Sequence, residues 1–580
     1  MSNVGKLRLR WTQAMNRIAA RRAALRRPVT TLVAHPEPRG IGSFARGRQL
    51  CAGNFVFAGH LVQAPDSPPW DIAPPDRAFA NEIHGFGWLD DLAATGDAPA
   101  RARARAWLWD WIARYGTGRG PGWTPELTGR RLIRWISHAQ FLLHGQNTAA
   151  RDAFLGVLAR QAMFLSRRWP AAAPGLPRFE ALAGMLYAGL SLEGMGDRVA
   201  PATAALGHEC AARIDAQGSL PTRNPEELLE VFTLLSWVTM TLGDAGHAPD
   251  DRHWQAIERI APTLRTLRHS DGGLARFHGG GRGLEGRLDT ALAASGVRGS
   301  RREGLAMGFA RLGAGRTSII LDAAPPPAGP ASTGAHASTL AFELTSGRRP
   351  LIVNCGSGAR FGDEWRRAGR ATPSHSTLVL AGRSCARLDS SPRRPEWLIG
   401  GPREVPVAKQ RVADGVRFEG AHDGYRVSHG LTHSRRLDLS ADGRALAGED
   451  MLLAIDDDSK RRFDSAMNAL RLHGIPFDLR FHLHPEVDAS LDMGGHAVSM
   501  ALRSGEIWVF RTDGNPEMSL QPSVYLETTR LRPRATKQIV LSARAMGYAT
   551  RVRWSLAKAQ DSPLAIRDLT EDELMPEAEY

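Results

Sequence analysis

The sequence lacks two features that would set it apart from ordinary globular chains: a long hydrophobic run and closely spaced cysteines. Without a run of about eighteen apolar residues, no segment is predicted to cross a membrane. The four cysteines lie far apart and form no Cys-x-x-Cys pair, so neither a disulfide scaffold nor a zinc ribbon is indicated. The N-terminal segment is basic but has no apolar core of a secretory signal. We therefore expect a cytoplasmic protein, with the periplasm or cell envelope as the alternative.

Acidic residues are scarce relative to basic ones. The 580 residues contain 74 Lys and Arg against 60 Asp and Glu, a formal net charge of +14. This charge fits a polyanionic partner, either nucleic acid or an anionic polysaccharide, and it fits equally a compositional bias toward arginine. No RNP, zinc-finger or helix-turn-helix pattern accompanies it, which disfavours nucleic acid. Residues 1–29 predict a short basic amphipathic helix that is either solvated or in contact with a membrane surface or partner.

The hydrophobic pattern divides the chain into two halves. Between residues 82 and 268 apolar residues recur at helical spacing, and "ALAGMLYAGLSLEGMG" is apolar nearly all round, which predicts a buried helix. After residue 281 the apolar runs shorten, alternate with period two and are separated by turn residues, as is typical of antiparallel sheets. This order predicts a multidomain α+β fold, with antiparallel helix pairs, for which a toroid is one arrangement, before a β region. The predicted parts are a basic arm and lead-in (1–80), a helical domain (81–285), a β-sandwich domain (300–560) and an acidic tail (561–580).

Two histidines precede predicted strands in the β half. His336, in "TGAHASTLAFELTS", has small neighbours that leave room for a ligand or for a close backbone crossing. His375, in "RATPSHSTLVLAG", repeats this arrangement, and Asn354 ends the strand between them. If the three converge at one sheet edge, their nitrogen and oxygen donors suit zinc.

A further polar cluster occurs in "AHDGYRVSHGLTHSRRL". Tyr425 has histidines and arginines close by in sequence, and such neighbours would lower the pKa of its hydroxyl and fit it for acid–base work. The alternative is a polar turn that packs on the sheet.

Polar residues in the helical half mark two further places. Arg223, Asn224 and Glu226 stand at a predicted helix N-terminus, where free N–H groups and the helix dipole attract anions; Asn224 alternatively serves only as the cap. Arg276 and His278 lie on a glycine-rich loop near the predicted domain boundary, and a basic loop that faces a cleft would hold an anionic chain.

Several segments in both halves match one known family. In the β half they are "GAHASTLAFELTSGRRPLIVNCGSG", "ATPSHSTLVLAG" and "HDGYRVSHGLTHSRRL", and in the helical half "PRFEALAGMLYAGL" and "DAQGSLPTRNPEELLE". In these segments the sequence resembles the heparinase II/III family of polysaccharide lyases. The resemblance implies an incomplete α/α toroid followed by an antiparallel β-sandwich. It also implies β-elimination of a glycosidic bond beside a uronic acid in an anionic polysaccharide or oligosaccharide.

The resemblance implies roles for individual residues. Arg178 stands where the family has an Asn-His pair, and with Arg223 it would hold or neutralise the substrate carboxylate. Asn224 would hydrogen-bond that carboxylate, and His336 or Tyr425 would move protons. The residues expected to bind substrate are Arg178, Glu226, Arg276 and His278.

The resemblance also leaves two functions open. His336, Asn354 and His375 occupy the positions of the family's metal ligands, which implies a structural zinc. Glu227, however, stands at the position of the family's tyrosine, and Gly334 at that of its first histidine. The chain is therefore either a lyase of acidic glycans or a non-catalytic glycan-binding protein of envelope or capsule polysaccharide metabolism.

Overall fold

Helices make up most of the first half of the chain. The structure, a computed structural model, describes residues 3–23, 31–391, 396–514, 516–527 and 530–560. The helices of this half are α1 (Asn3–Ala23), α2 (Phe44–Cys51), α3 (Arg77–Gly85), α4 (Trp88–Thr95), α5 (Ala98–Tyr115), α6 (Pro125–Ser137), α7 (Ala139–Leu143), α8 (Thr148–Arg168), α9 (Leu176–Ser191), α10 (Val199–Arg213), α11 (Pro225–Asp244), α12 (Asp251–Thr266) and α13 (Arg287–Ala294).

Helix α9 lies at the centre of this half. Its residues from 179 to 191 are all buried, as the sequence predicted for this apolar segment. It crosses α6 at two glycines, because a Cβ added to Gly184 would lie only 2.3 Å from the Cα of Gly129. The two backbones therefore touch, and a side chain at Gly184 would push the helices apart.

Strands make up most of the second half. A hairpin of β1 (Asn54–Phe57) and β2 (His60–Gln63) precedes them in the helical region. The later strands are β3 (Phe309–Ala314), β4 (Thr317–Asp322), β5 (Phe342–Ser346), β6 (Arg349–Val353), β7 (Leu378–Leu380), β8 (Arg387–Leu388), β9 (Leu398–Ile399), β10 (Val407–Val412), β11 (Gly415–Tyr425), β12 (Leu431–Ser440), β13 (Ala445–Leu453), β14 (Ile475–Leu483), β15 (Asp488–Asp492), β16 (Ala497–Ala501), β17 (Ile507–Thr512), β18 (Glu517–Tyr525), β19 (Arg534–Ala545) and β20 (Ala549–Gln560). Three helices, α14 (Asp363–Arg370), α15 (Arg426–His429) and α16 (Asp457–Ala469), lie between them.

The strands form two large antiparallel sheets. One has the order β10-β11-β12-β13-β20-β17-β16-β15, and the other has the order β18-β19-β14-β6-β5-β4-β3, with β7 also paired to β14. Inward-facing side chains of both sheets form one core, in which the rings of Phe342 and Trp554 stack with their centroids 6.0 Å apart. Helices followed by antiparallel sheets confirm the predicted α+β fold class.

Side chains of the helical half pack directly against side chains of the β half. The core of the helical half continues into Phe309, Ile320 and Ala341 of the β half, and the rings of Phe277 and Phe309 lie 5.0 Å apart. Helix α13 packs against α11, so the helical core extends beyond residue 285. The division at residues 80, 285 and 300 stays a prediction, and the predicted acidic tail at 561–580 lies outside the described residues.

The predicted N-terminal helix is confirmed as α1, which packs against α8; there, Arg168 Nε donates to Asn16 Oδ1 at 2.8 Å. Among the described residues, no helix combines the length and apolar character that a membrane span requires.

Candidate active site

Asp322, at the end of β4, joins polar groups from both halves of the chain. It is fully buried, and its Oδ1 accepts a hydrogen bond from Arg223 Nη2 at 2.6 Å. Its Oδ2 accepts one from Ser338 Oγ at 2.7 Å and lies 3.4 Å from His278 Nε2. Arg223 precedes α11 and His278 follows α12, so this one carboxylate holds the helical half against the sandwich.

Arg223 is wholly occupied by this junction. Besides Asp322, its guanidinium donates to the carbonyls of Met307, Gly308, Ala324 and Pro325 at 2.7 to 3.3 Å. Arginine has five N–H donors, and all five have acceptors in the chain. With these contacts Arg223 clamps the two halves together, and its grip on a substrate carboxylate stays a prediction.

Three histidines form a chain beside Asp322. The backbone N–H of His336 donates to His278 Nδ1 at 3.2 Å, so Nδ1 of His278 carries no proton and Nε2 carries one toward Asp322. His375 Nδ1 lies 2.8 Å from the carbonyl of Ala371, which can only accept, so this nitrogen is the donor. His375 Nε2 then accepts from His336 Nδ1 at 3.0 Å. The structure thus brings together His278, His336 and His375 as neutral rings.

Burial sets the protonation of this cluster. It lowers the pKa of His375 to about 4 and, together with the nearby His375, His278 and Arg370, holds the pKa of His336 well below its usual range. Burial alone would raise the pKa of Asp322, but Arg223 and His278 hold it below the ordinary value of a carboxyl. At neutral pH the carboxylate is therefore charged and the imidazoles are not.

Arg276, predicted to bind substrate, is likewise occupied inside the chain. Its backbone N–H donates to Glu343 Oε2 at 3.0 Å, and its Nη2 donates to the carbonyl of Cys355 at 3.1 Å. The guanidinium lies 4.0 Å from the ring centroid of Tyr525. Arg276 and His278 are both buried, and the prediction that they bind substrate stays a prediction.

The polar groups left open at the junction lie at the start of α11. Asn224 caps this helix as predicted: its Oδ1 accepts from the N–H groups of Glu226 and Glu227 at 3.0 and 3.2 Å. Since Oδ1 is the acceptor, Nδ2 is the donor of this amide, and it has no hydrogen-bond partner within the described part of the chain. A Cβ added to Gly279 would lie 3.8 Å from it. Glu226 Oε2 accepts from the N–H of Gly281 at 2.7 Å, which ties it to the glycine-rich loop.

Glu227, at the position of the family's tyrosine, completes this half-buried group. Its Oε2 accepts from Thr222 Oγ1 at 2.7 Å, and its Oε1 lies 4.0 Å from where a Cβ of Gly175 would stand. Burial raises the pKa of Glu227, and the bond from Thr222 only partly opposes this. We call this group, with members Gly175, Thr222, Asn224, Glu227 and Gly279, the junction site.

Arg178 makes its contacts within the helical half. It pairs with Glu209 at 3.2 Å and donates to the carbonyls of Pro170 and Ala172. Arg178 lies in the first turn of α9, and the N-cap residue of this helix, Gly175, is a member of the junction site. The described contacts of Arg178 include none with His336, so the predicted pair across one groove stays a prediction.

Tyr425 lies inside the sandwich core. It is 1% exposed, and its hydroxyl donates to the carbonyl of Leu378 at 2.9 Å. Burial, with Cys385 nearby, raises its pKa well above 10. The predicted lowered pKa of Tyr425 is therefore wrong, because residues of β11 alternate between the two faces of the strand and Tyr425 lies on the inward face. Its catalytic role stays a prediction.

The donors predicted to hold zinc do not fit that metal. A tetrahedral zinc holds two nitrogens about 3.4 Å apart, close to the 3.0 Å between His336 Nδ1 and His375 Nε2. Asn354, however, uses its Oδ1 to accept from the N–H of Ser376 at 2.9 Å and brings no negative charge. Over the ranges that the structure describes, no three His, Cys, Asp or Glu side chains cluster as metal ligands.

A second buried network, around Asp450, holds the segments that carry the histidines. Asp450 accepts hydrogen bonds from Arg435, His433 and Trp554 at 2.7 to 2.9 Å. Arg435, on β12, also donates to the carbonyls of Leu340 and Ser376 at 2.8 and 2.9 Å. These two carbonyls flank the segments that carry His336 and His375, so the first sheet fixes the position of the histidine pair beside the second.

Sequence reasoning missed the carboxylates of the site. Asp322 lies within "TSIILDA" and Glu343 within "TLAFELTS", and a lone acid in a largely apolar strand was the available signal. Glu227 was noticed only as a departure from the family's tyrosine.

The helical region and the antiparallel sandwich thus meet at Asp322 and the buried histidines. Residues 297–555 match the family described as Heparinase II/III-like, C-terminal. Over 551 residues the chain is 32% identical to FtsZ-localized protein C of Caulobacter vibrioides, covering 93% of this chain and 92% of that protein. The chain therefore belongs to the heparinase II/III-like family.

Solved structures agree on the fold. The chain is similar to heparinase III, with a TM-score of 0.66 and 12% identity over 93% of this chain and 88% of that one. It is similar to a mutant of the heparan sulfate lyase HepC from Pedobacter heparinus, with a TM-score of 0.59 and 15% identity over 95% of this chain and 89% of that one. These likenesses show an α/α toroid followed by a β-sandwich, which confirms the predicted architecture.

Proposed function

We propose that this protein is a lyase that breaks acidic, uronic-acid-containing polysaccharides or oligosaccharides by β-elimination at the junction site. The observation that carries this proposal is the orientation of Asn224. Its Oδ1 is committed to the helix cap, so its Nδ2 is available to donate to a ligand at the N-terminus of α11. A sugar carboxylate bound there receives this hydrogen bond and the positive end of the helix dipole.

The chemistry requires this neutralisation. The C5 proton of a uronate is too weakly acidic for abstraction while the adjacent carboxylate keeps its full charge. With the charge offset by Asn224, the Glu227 carboxylate takes the C5 proton. The C4–C5 double bond forms, the C4–O bond breaks, and Glu227 returns the proton to the leaving oxygen. The raised pKa of Glu227 makes its carboxylate a stronger base, which suits a group that takes a proton and then returns it.

Two substitutions test these roles. Asn224→Ser keeps a capping hydroxyl but removes the amide donor, so we expect activity to fall about 100-fold while stability changes by less than about 1 kcal/mol. Glu227→Gln removes the base but keeps the side chain's shape, and we expect no detectable turnover. The measurement is the ultraviolet absorbance of the unsaturated product with a panel of uronate polymers, beside a thermal melt of each variant. Full activity in Glu227→Gln would contradict the assigned base.

A second candidate is a non-catalytic glycan-binding protein. It is favoured by the complete commitment of Arg223 and by the burial of His336 and Tyr425, which leave the junction site without those groups. Affinity for an acidic glycan without any ultraviolet signal, at several pH values and with every polymer, would select this candidate.

The name of the relative FtsZ-localized protein C supports a location at the site of cell division for either candidate. A fluorescent fusion imaged together with labelled FtsZ tests this. A uniform distribution in dividing cells would contradict it.

A further inference from the structure

A depression lies between the outer strands of the two sheets. Strand β10 begins the order of one sheet and β3 ends that of the other. The depression between them has an empty volume of about 520 Å³ and is lined by Arg311, Gly313, Lys409, Gln410, Arg411 and Val416. It shares no residue with the junction site.

Two cations reach this depression from the core-facing side of β10. In the register of β10 with β11, Lys409 is opposite Phe418 and Arg411 is opposite Val416. Opposite residues of paired strands share a face of the sheet. Phe418 is fully buried, and Val416 packs against the sandwich core. Lys409 and Arg411 therefore occupy positions where a sandwich strand ordinarily carries apolar side chains.

Arg311 supplies the third cation at a fixed position. Its Nη1 donates to the carbonyls of Thr266 and Arg268 at 3.2 and 2.5 Å, which ties it to the end of α12. Its Nε is buried and has no hydrogen-bond partner among the described residues. A Cβ on Gly313 would lie 4.0 Å from this nitrogen, so the glycine leaves the space beside the donor open.

The depression contains no compensating negative charge within the part of the chain that the structure describes. No Asp or Glu lines it, and none of its three cations has a carboxylate within 4.0 Å. Elsewhere on the same sheet cations are paired: Arg417, on β11, lies 2.6 Å from Asp438. A bound anion would offset the three like charges that line this one depression.

We propose that this depression is an anion-binding site that takes the sulfate or carboxylate groups of an acidic polysaccharide, separately from the junction site. The proposal rests on the acidic-glycan part of the proposed function and not on catalysis. A glycan is favoured over an acidic peptide because Val416 is the one apolar side chain in the lining, whereas peptides depend on apolar anchors in pockets.

The test measures binding of a heparin hexasaccharide, an oligogalacturonate and inorganic sulfate by calorimetry at two salt concentrations. For Lys409→Gln/Arg411→Gln we expect at least about a tenfold loss of glycan affinity, or about 1.4 kcal/mol. The matched control is Arg461→Gln/Arg462→Gln on α16, which removes the same charge from exposed side chains paired with Asp458. We expect less than about a twofold change there, because exposed charges at a distance are screened.

A variant that leaves the net charge unchanged distinguishes a specific binding site from general electrostatic attraction to the basic protein. Gly313→Val fills the space beside Arg311 Nε and should weaken binding as much as the double variant does. Equal losses in the α16 control, or no loss in either site variant, would overturn the proposal. Tighter binding of a synthetic 561–580 peptide than of both glycans would overturn the glycan assignment.

The outcome is distinguishable from that of the proposed function. Asn224→Ser should keep the binding that depends on Lys409 and Arg411 even where cleavage is lost. If no polymer is cleaved and this binding persists, the lyase proposal fails and the anion site stands.

Discussion

Replacing Asp322 with asparagine should lower the free energy of unfolding by about 3 to 5 kcal/mol. Asp322 is fully buried and carries the charge that balances Arg223, whose side chain is 11% exposed. Asparagine keeps the shape of the side chain but leaves the guanidinium uncompensated in the interior, and its amide meets Arg223 or Ser338 with a donor where an acceptor is needed. The shift of the urea or thermal midpoint measures this effect.

The matched control is Asp438→Asn. Asp438 also pairs with an arginine at 2.6 Å, but Arg417 and Asp438 are 31% and 24% exposed. Solvent screens this pair, so we expect a much smaller change in the free energy of unfolding than for Asp322→Asn. A similar loss in the two variants would show that the junction does not depend on the buried charge.

Acidification from pH 7 to pH 5 should destabilise the protein strongly. Burial lowers the pKa of His375 and His482 to about 4, below the ordinary value of 6.5. Between these two values the unfolded chain binds a proton that the folded chain does not, so stability falls as pH falls. For each such histidine the loss by pH 5 is about 2 kcal/mol. The other histidines with lowered pKa values are His84, His253, His278, His336, His422, His429, His433 and His484.

Three carboxyls act in the opposite direction. Burial raises the pKa of Glu180 to about 7, that of Asp91 to about 6 and also that of Glu227, and protonation of these groups favours the folded chain at low pH. The histidines outnumber them, so thermal melts across this pH range should show a clear net fall. His375→Gln, which places a non-titrating polar group there, should give a shallower pH dependence. A melting temperature that is constant or rises on acidification would refute the assignment of neutral buried imidazoles.

Local sequence patterns predicted the fold well because periodicity reports which face of an element is buried. The all-round apolar pattern around Met185 became the buried helix α9, and the Asn-Pro pair at residue 224 became a helix cap. The meeting of His336 and His375 was also predicted, since both precede strands of one sheet.

The partners of charged side chains were not predictable in this way. Arg223 and Asp322 are 99 residues apart, and nothing local indicates that one holds the other. The pKa of Tyr425 was mispredicted for the same reason, because polar neighbours in sequence point away from an inward residue on a strand. Residue type indicates the chemistry a group can perform, while the register of the sheets and the packing of the two halves decide which group it meets.

The grip of Arg435 on the carbonyls of Leu340 and Ser376 has a consequence for motion. The histidine-bearing segments of the second sheet cannot separate without breaking bonds to a residue that is itself held by Asp450 in the first sheet. Amide hydrogens around residues 336–341 and 375–379 should therefore exchange with deuterium only when the whole sandwich opens, whereas those at the start of α11 exchange through small local fluctuations.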